Sequence, residues 1–415
     1  MSVVSRRNAV VIGSLLLLCS LSFGGWTKLT TGTPAALKSI CFPTGTLVGY
    51  AVGSDPAGGG AIIKTTDGGS TWTMQSSGTL NGLNSVYFTN DNNGYAVGTQ
   101  GTALRTTDGG TTWTKMTGVT GTDQLNSVQF PGNGLIGFIG LRPQGGGAKV
   151  LRTSDGGTGW TSENAGQALN TSISCAMQTV DTGVCLGVQG LLSYTKNGWT
   201  HWDTLFGGAQ TQANLIAASF CTASPDRGYL IANDSVRGIV EHTATGGSAV
   251  WDSCRCWDVT ALYGVCMADS MFGYVCGTDG NILISSSATD FWRTTTGVTT
   301  TMYGLSFPNG ADTGYACGGN GTVLKTTDKG VPWIPGVAEV KPPAVVRTGI
   351  RVVSNPSRNG IAFHSDADVR VSVFDAAGRV VKTQAATKGL NFLSVPTGAY
   401  FVRAGAQTAR AVVTD

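Results

Sequence analysis

Thr66-Asp67-Gly68-Gly69-Ser70-Thr71-Trp72 is the stretch on which the architecture turns. It returns as Thr107-Asp108-Gly109-Gly110-Thr111-Thr112-Trp113, as Ser154-Asp155-Gly156-Gly157-Thr158-Gly159-Trp160, and as Thr327-Asp328-Lys329-Gly330-Val331-Pro332-Trp333. Weaker copies run from Asn197 to Trp202, from Thr245 to Trp251 and from Ser287 to Trp292. The seven tryptophans that end these boxes are 41, 47, 42, 49, 41 and 41 residues apart, a period that belongs to repeat architectures. Within a box the Asp accepts hydrogen bonds from the turn that follows, a Gly takes positive φ at little cost, and the Trp buries a large ring. The carboxylates of Asp67, Asp108, Asp155 and Asp328 therefore read as structural, together with Asn197 in the fourth box.

Upstream of each box the same elements recur. Between Leu83 and Trp113 a strand at Ser85-Val86-Tyr87-Phe88 precedes a polar turn, then Gly94-Tyr95-Ala96-Val97-Gly98, then Thr102-Ala103-Leu104-Arg105-Thr106, then the box. The Trp opens a fourth strand. Four antiparallel strands in roughly 40–45 residues is the dimension of a propeller blade, and a closed ring of blades protects strand edges. The sequence thus predicts an all-β chain with a seven-bladed β-propeller over residues 25–334. Trp26-Thr27-Lys28-Leu29-Thr30 resembles the fourth-strand segment Trp113-Thr114-Lys115-Met116-Thr117 but has no blade before it. Pro332 and Pro335 suit a paired strand badly. The N-terminal segment is therefore expected to complete the last blade.

At either end the pattern changes. Arg6 and Arg7 precede an apolar stretch over residues 9–23, and Ser22 and Gly24 suit a cleavage site, so residues 1–24 read as a signal peptide. No later stretch is long and apolar enough to span a bilayer. Residues 335–348, with Lys341-Pro342-Pro343, read as a linker. Alternating strands after it predict a small Ig-like β-sandwich over residues 349–415. The net charge of +3 is spread without blocks, which points away from nucleic acid.

Two resemblances rest on these residues. Residues 26–333 resemble the Asp-box propellers of the photosystem II stability and assembly factor family, through Gly94-Tyr95-Ala96-Val97-Gly98 and Gly321-Thr322-Val323-Leu324-Lys325-Thr326-Thr327-Asp328. Residues 349–415 resemble the type IX secretion C-terminal sorting domain. The carrying residues are Asn355-Pro356, Val373-Phe374-Asp375-Ala376-Ala377-Gly378-Arg379-Val380-Val381 and Gly398-Ala399-Tyr400-Phe401-Val402. The first resemblance implies a non-catalytic scaffold. The second implies a secreted or surface-attached bacterial protein that meets the export machinery through this domain. A protein or a glycan at the cell surface is the expected partner, and no cofactor is implied.

Asp boxes also resemble those of sialidases and xyloglucanase-type glycosidases, so a hydrolase is the competing reading. Such an enzyme needs two carboxylates about the scissile bond. After leader cleavage only Glu163, Glu241 and Glu339 remain as glutamates, and Asp91, Asp123, Asp181, Asp226, Asp269 and Asp312 fit the first turns of their units. The three histidines, His201, His242 and His364, are scattered and form no metal triad. Lys64, Arg105, Arg152 and Lys325 each stand three residues before the Asp, and are candidates for a basic ring that takes an acidic partner; solvated strand-face residues are the plainer reading. Cys175 with Cys185, and Cys266 with Cys276, each span a first hairpin and suit cross-strand disulfides. Cys41 and Cys317 are candidates for a bridge across the ring closure.

Overall fold

The computed structural model describes residues 25–330 and 350–414, apart from 133, 145–148, 165–173, 189, 198–200, 206–212, 249–250, 255–258, 287–289, 353–356, 359, 366–367, 376–378 and 405–406. The chain divides into two compact units between Trp333 and Ile334. The leader and linker expected at residues 1–24 and 335–348, Trp333 and Glu339 all lie outside the described residues.

In the first unit the described residues form seven four-stranded antiparallel sheets and one turn of 3-10 helix at Thr278–Gly280. Sheets 1 to 6 occupy residues 36–75, 83–115, 124–164, 174–205, 214–253 and 262–293, each with its strands in chain order. Sheet 7 takes three strands from residues 302–326 and its outer strand from the opposite end of the unit. Thr27–Leu29 pairs antiparallel with Val323–Thr326, matching Thr27 to Lys325 and Leu29 to Val323. The first strands of successive sheets touch in order, and that of sheet 7 touches that of sheet 1. The sheets therefore close on themselves as in a propeller, with first strands innermost.

A repeating aromatic cluster joins neighbouring sheets. The phenol of Tyr50 in sheet 1 stacks on Phe88 of sheet 2 at 3.6 Å between centroids, and Phe88 meets Trp113 edge-on at 5.9 Å. Tyr95 with Phe130 and Trp160, and Tyr315 with Phe42 and Trp72, repeat the arrangement. Such contacts are worth about 0.5–1.5 kcal/mol each beyond the area buried. Because Tyr315 belongs to sheet 7 and Phe42 to sheet 1, the same device seals the ring. Trp26 meets Phe307 at 6.1 Å and 87°, and so stands to sheet 7 as Trp72 stands to sheet 1.

The second unit holds a three-stranded sheet, Ile350–Val352 with Ile361–Ser365 and Gly389–Leu393. It also holds a five-stranded one containing Val369–Asp375, Val380–Ala386, Gly398–Ala404 and Gln407–Thr414, edged by the short strand Ser357–Arg358. Ile361, Phe363 and Leu393 from the first sheet share one core with Val371, Val373, Tyr400 and Val402 from the second. Alternation along Val371 and Val373 sends every second side chain inward.

Candidate functional site

The boxes close their turns through the Asp carboxylate. Asp67 accepts from the backbone N–H of Thr71 at 2.9 Å, from the Thr71 hydroxyl at 2.6 Å and from the Thr65 hydroxyl at 2.8 Å. Asp108 repeats this with Thr112 and Thr106, and Asp155 accepts from Gly159 N–H at 2.9 Å. Asn197 does the same work without charge, accepting from His201 N–H at 3.1 Å. Donors aimed at the ionised form, those of Thr71 and Thr112 foremost, hold Asp67 and Asp108 down to about 2. A depressed carboxylate contributes stability above its unfolded value near 3.9, lost as pH falls through the folded value. Urea midpoints of the Asp67→Asn, Asp108→Asn double variant are thus expected to fall less than wild type between pH 5 and pH 2. Parallel decline would show that other groups govern the acid limb.

The basic residues of the repeat do not stand free. Lys64 Nζ donates to the Gly109 carbonyl of the next sheet's box at 2.7 Å, and Lys325 Nζ to that of Gly68 at 2.8 Å. Each ammonium lies beside a tyrosine, Tyr50 or Tyr315, whose hydroxyl donates to the same carbonyl at 2.9 and 3.0 Å. Arg105 sits over Tyr95 and reaches Thr158 at 3.4 Å, while Tyr95 donates to the Gly156 carbonyl. Arg152 holds the corresponding place in sheet 3, half-buried with its Nε enclosed. Lys64, Arg105 and Lys325 thus each reach the box of the neighbouring sheet, a contact that neither the basic ring for an acidic partner nor the solvated strand face includes.

Other sequence expectations need correction. Trp292 is 40% exposed on the outer strand of sheet 6, and Phe291 fills the buried place at 1%, edge-on to Tyr229. The box before it has lost its Asp and its glycines, so nothing in the sequence fixed the count to one residue. In sheet 7 the ring expected of Trp333 is supplied by Trp26. Trp251 is fully buried, and Trp202 is half-buried beside the cluster of Cys175 and Cys185. Those two cysteines are direct cross-strand partners with sulfurs 2.9 Å apart. Cys266 instead faces Tyr274 while Cys276 faces Gly264, so the strand register does not bring that pair together. Cys41 faces Tyr50 and packs with the sheet 2 cluster, whereas Cys317 packs with Tyr315 and Leu37. Glu163 lies on the outer strand of sheet 3 and Glu241 on the third strand of sheet 5, fully buried. No group of three or more His, Cys, Asp or Glu suited to a metal occurs among the described residues.

What sequence reading missed lies on the inner strands. In sheets 1, 2, 3, 5, 6 and 7 the pairing of first and second strands slips by one residue, at Lys38, Asn84, Asn126, Ile216, Tyr263 and Tyr303. Bulges re-aim side chains. Three of these, from the consecutive sheets 6, 7 and 1, converge: Lys38 Nζ lies 3.7 Å over the Tyr303 ring, and Tyr263 meets Tyr303 edge-on at 5.3 Å. Tyr263 remains 39% exposed. Burial pushes the Lys38 ammonium down, with the nearby Cys317 thiol opposing. At the opposite ends of the inner strands a cavity of about 550 Å³ is lined by Tyr87, Gln129, Met177 and Phe220, and burial raises the Tyr87 phenol to about 12.

Comparison with known proteins follows the same division. The profile of the family described as photosynthesis system II assembly factor YCF48 matches residues 77–344, more than half of the chain. That of the secretion system C-terminal sorting domain matches residues 352–414. Among solved structures, YCF48 bound to D1 peptide is 20% identical with a TM-score of 0.57, covering 74% of this chain and 98% of its own. YCF48 from Cyanidioschyzon merolae is 17% identical with a TM-score of 0.58, covering 73% and 99%. The WD40 β-propeller domain of Doa1, at 13% identity, has a TM-score of 0.56 over 74% and 98%. No curated protein sequence matches the chain. At these identities the solved structures establish a propeller fold, and no helix among the described residues is long and apolar enough to cross a membrane. With its profile matched over most of the propeller, the chain belongs to the photosynthesis system II assembly factor YCF48 family.

Proposed function

We propose that this chain is an exported, non-catalytic binding protein of seven blades. Its inner-strand bulges at Lys38, Tyr263 and Tyr303 take an extended protein segment that carries a carboxylate. The single observation behind this reading is the convergence of those three side chains. One cation stands over the face of Tyr303, which Tyr263 meets edge-on, in a unit whose box carboxylates are held in turns and in which Lys64 and Lys325 are engaged with neighbouring boxes. A cation beside ring faces suits a carboxylate next to an apolar side chain. The sorting domain supports export, and the propeller solved with a D1 peptide is a relative of similar fold that holds a protein segment.

The test is an array of acidic decapeptides and their amidated counterparts, presented to the chain from Gly25 onward. Acidic peptides are expected to bind, with Lys38→Ala and Tyr303→Ala each weakening binding about tenfold, which is about 1.4 kcal/mol. Tyr87→Phe, at the other end of the inner strands, is expected to leave it unchanged. Equal binding of acidic and amidated peptides would remove the carboxylate from the proposal, and turnover of a glycan panel would replace binding with hydrolysis.

A further inference from the structure

The last box is assembled from the two ends of the propeller. In sheets 1, 2 and 3 the carboxylate accepts from the N–H four residues later, that of Thr71, Thr112 or Gly159, and the Trp that follows lies against a box glycine. Four residues after Asp328 stands Pro332, which has no N–H to give. Its place is taken by the nitrogen of Gly25, 3.0 and 3.3 Å from the two carboxylate oxygens, alongside the Thr326 hydroxyl at 2.8 Å and the Gly330 N–H at 3.2 Å, which donate to Oδ1. Next to it Trp26 lies against Gly330, closely enough that a Cβ there would meet the indole ring. Gly25-Trp26 is thus to Asp328 what Thr71-Trp72 is to Asp67.

One difference separates them. Sequence places leader cleavage after Gly24, and hydrolysis of that amide by water leaves a carboxylate on Gly24 and an α-ammonium on Gly25. The group facing both oxygens of Asp328 is then a cation. We propose that Asp328, with Gly330 beside it, is a receptor for a free N-terminal α-ammonium, so that the ring closes at full strength only in the processed chain. This rests on the export reading for its ligand, and on the Gly25 to Asp328 geometry for its site. A carboxylate already makes a charge-assisted bond to an amide N–H; an α-ammonium adds the attraction of opposite charges, which solvent reduces at so exposed a position. An uncleaved chain keeps an amide N–H at Gly25, and with it a neutral donor.

Two chains running from Gly25 to Asp415 test the receptor, one with a free α-amine and one Nα-acetylated, each also as Asp328→Asn. The free chain is expected to melt about 2 °C above the acetylated one at pH 6. An α-amino group titrates near 7.7–8.0 when unpaired, and pairing raises that value. The advantage is therefore complete below pH 7 and is lost as pH rises through the paired value. In the Asp328→Asn background the acetylated and free chains are expected to melt together at every pH. Equal melting of the two in the Asp328 background, or a difference that survives Asp328→Asn, overturns the receptor. N-terminal mass analysis of the exported protein is a separate arm. A mature terminus at Gly25 supports the coupling to processing, and any other terminus overturns that coupling whatever the melting shows.

Discussion

Trp26→Ala is expected to cost the first unit about 3–5 kcal/mol, the range for truncating a large buried ring. Trp26 is 8% exposed and shares a cluster with Tyr274, Ile284, Met302 and Leu324. It also anchors a strand of three residues whose pairing alone is short. Without that anchor Val323–Thr326 becomes an open edge, and an open edge of apolar strand invites pairing with other chains. Urea unfolding should therefore show a lower midpoint, and light scattering should show association at concentrations where wild type stays dispersed. Trp333→Ala is the control, because Trp26 already occupies the place against Gly330. It is expected to cost less than about 1 kcal/mol. The opposite ranking would return the last box to its own tryptophan and leave the closure without its main contact.

The parts of this architecture that were legible in the sequence are those whose physics is local. A box turn joins Asp67 to Thr71, four residues away, and a strand alternates within itself, so repetition of the pattern exposed both. The clasps between sheets are different in kind. Tyr50 bonds to a carbonyl 59 residues on, and Tyr315 to one 247 residues back, so their role depends on which sheets become neighbours. Lys64 and Lys325 recur visibly, yet their spacing is the same whether they point to solvent or to the next box. Least legible is the site at Lys38, Tyr263 and Tyr303. A one-residue slip of register changes which way a side chain faces and leaves no mark in composition. The failed pairing of Cys266 with Cys276 is also a matter of register, since two residues about one hairpin become partners only where the turn aligns them, and here Cys266 falls opposite Tyr274.

Gly98→Ala is expected to destabilise by more than about 3 kcal/mol, beyond the usual cost of overpacking, because the obstacle is backbone. A Cβ at Gly98 would stand 2.1 Å from the Gly82 carbonyl oxygen and 2.9 Å from Leu83 Cα. That carbonyl is fixed by Thr99 N–H at 2.9 Å, so it has no room to withdraw. Gly94, at the other end of the same strand, makes the comparison. There the Cβ would meet the Phe88 ring at 2.3 Å, which is side chain. Phe88→Leu should therefore rescue much of the loss in Gly94→Ala and none of that in Gly98→Ala, as a double-mutant cycle would read directly. The same conflict with backbone recurs at Gly53, Gly277 and Gly318, which pair with the residues just before Lys38, Tyr263 and Tyr303. Sheets 3 and 5 bulge at the same place over Leu141 and Ala232, but in sheets 1, 6 and 7 the bulged strand lies close against a glycine, and there the bulge brings those three side chains together. Gly318→Ala should accordingly lose peptide binding together with stability, whereas Gly98→Ala, in sheet 2, should lose stability while any folded fraction still binds.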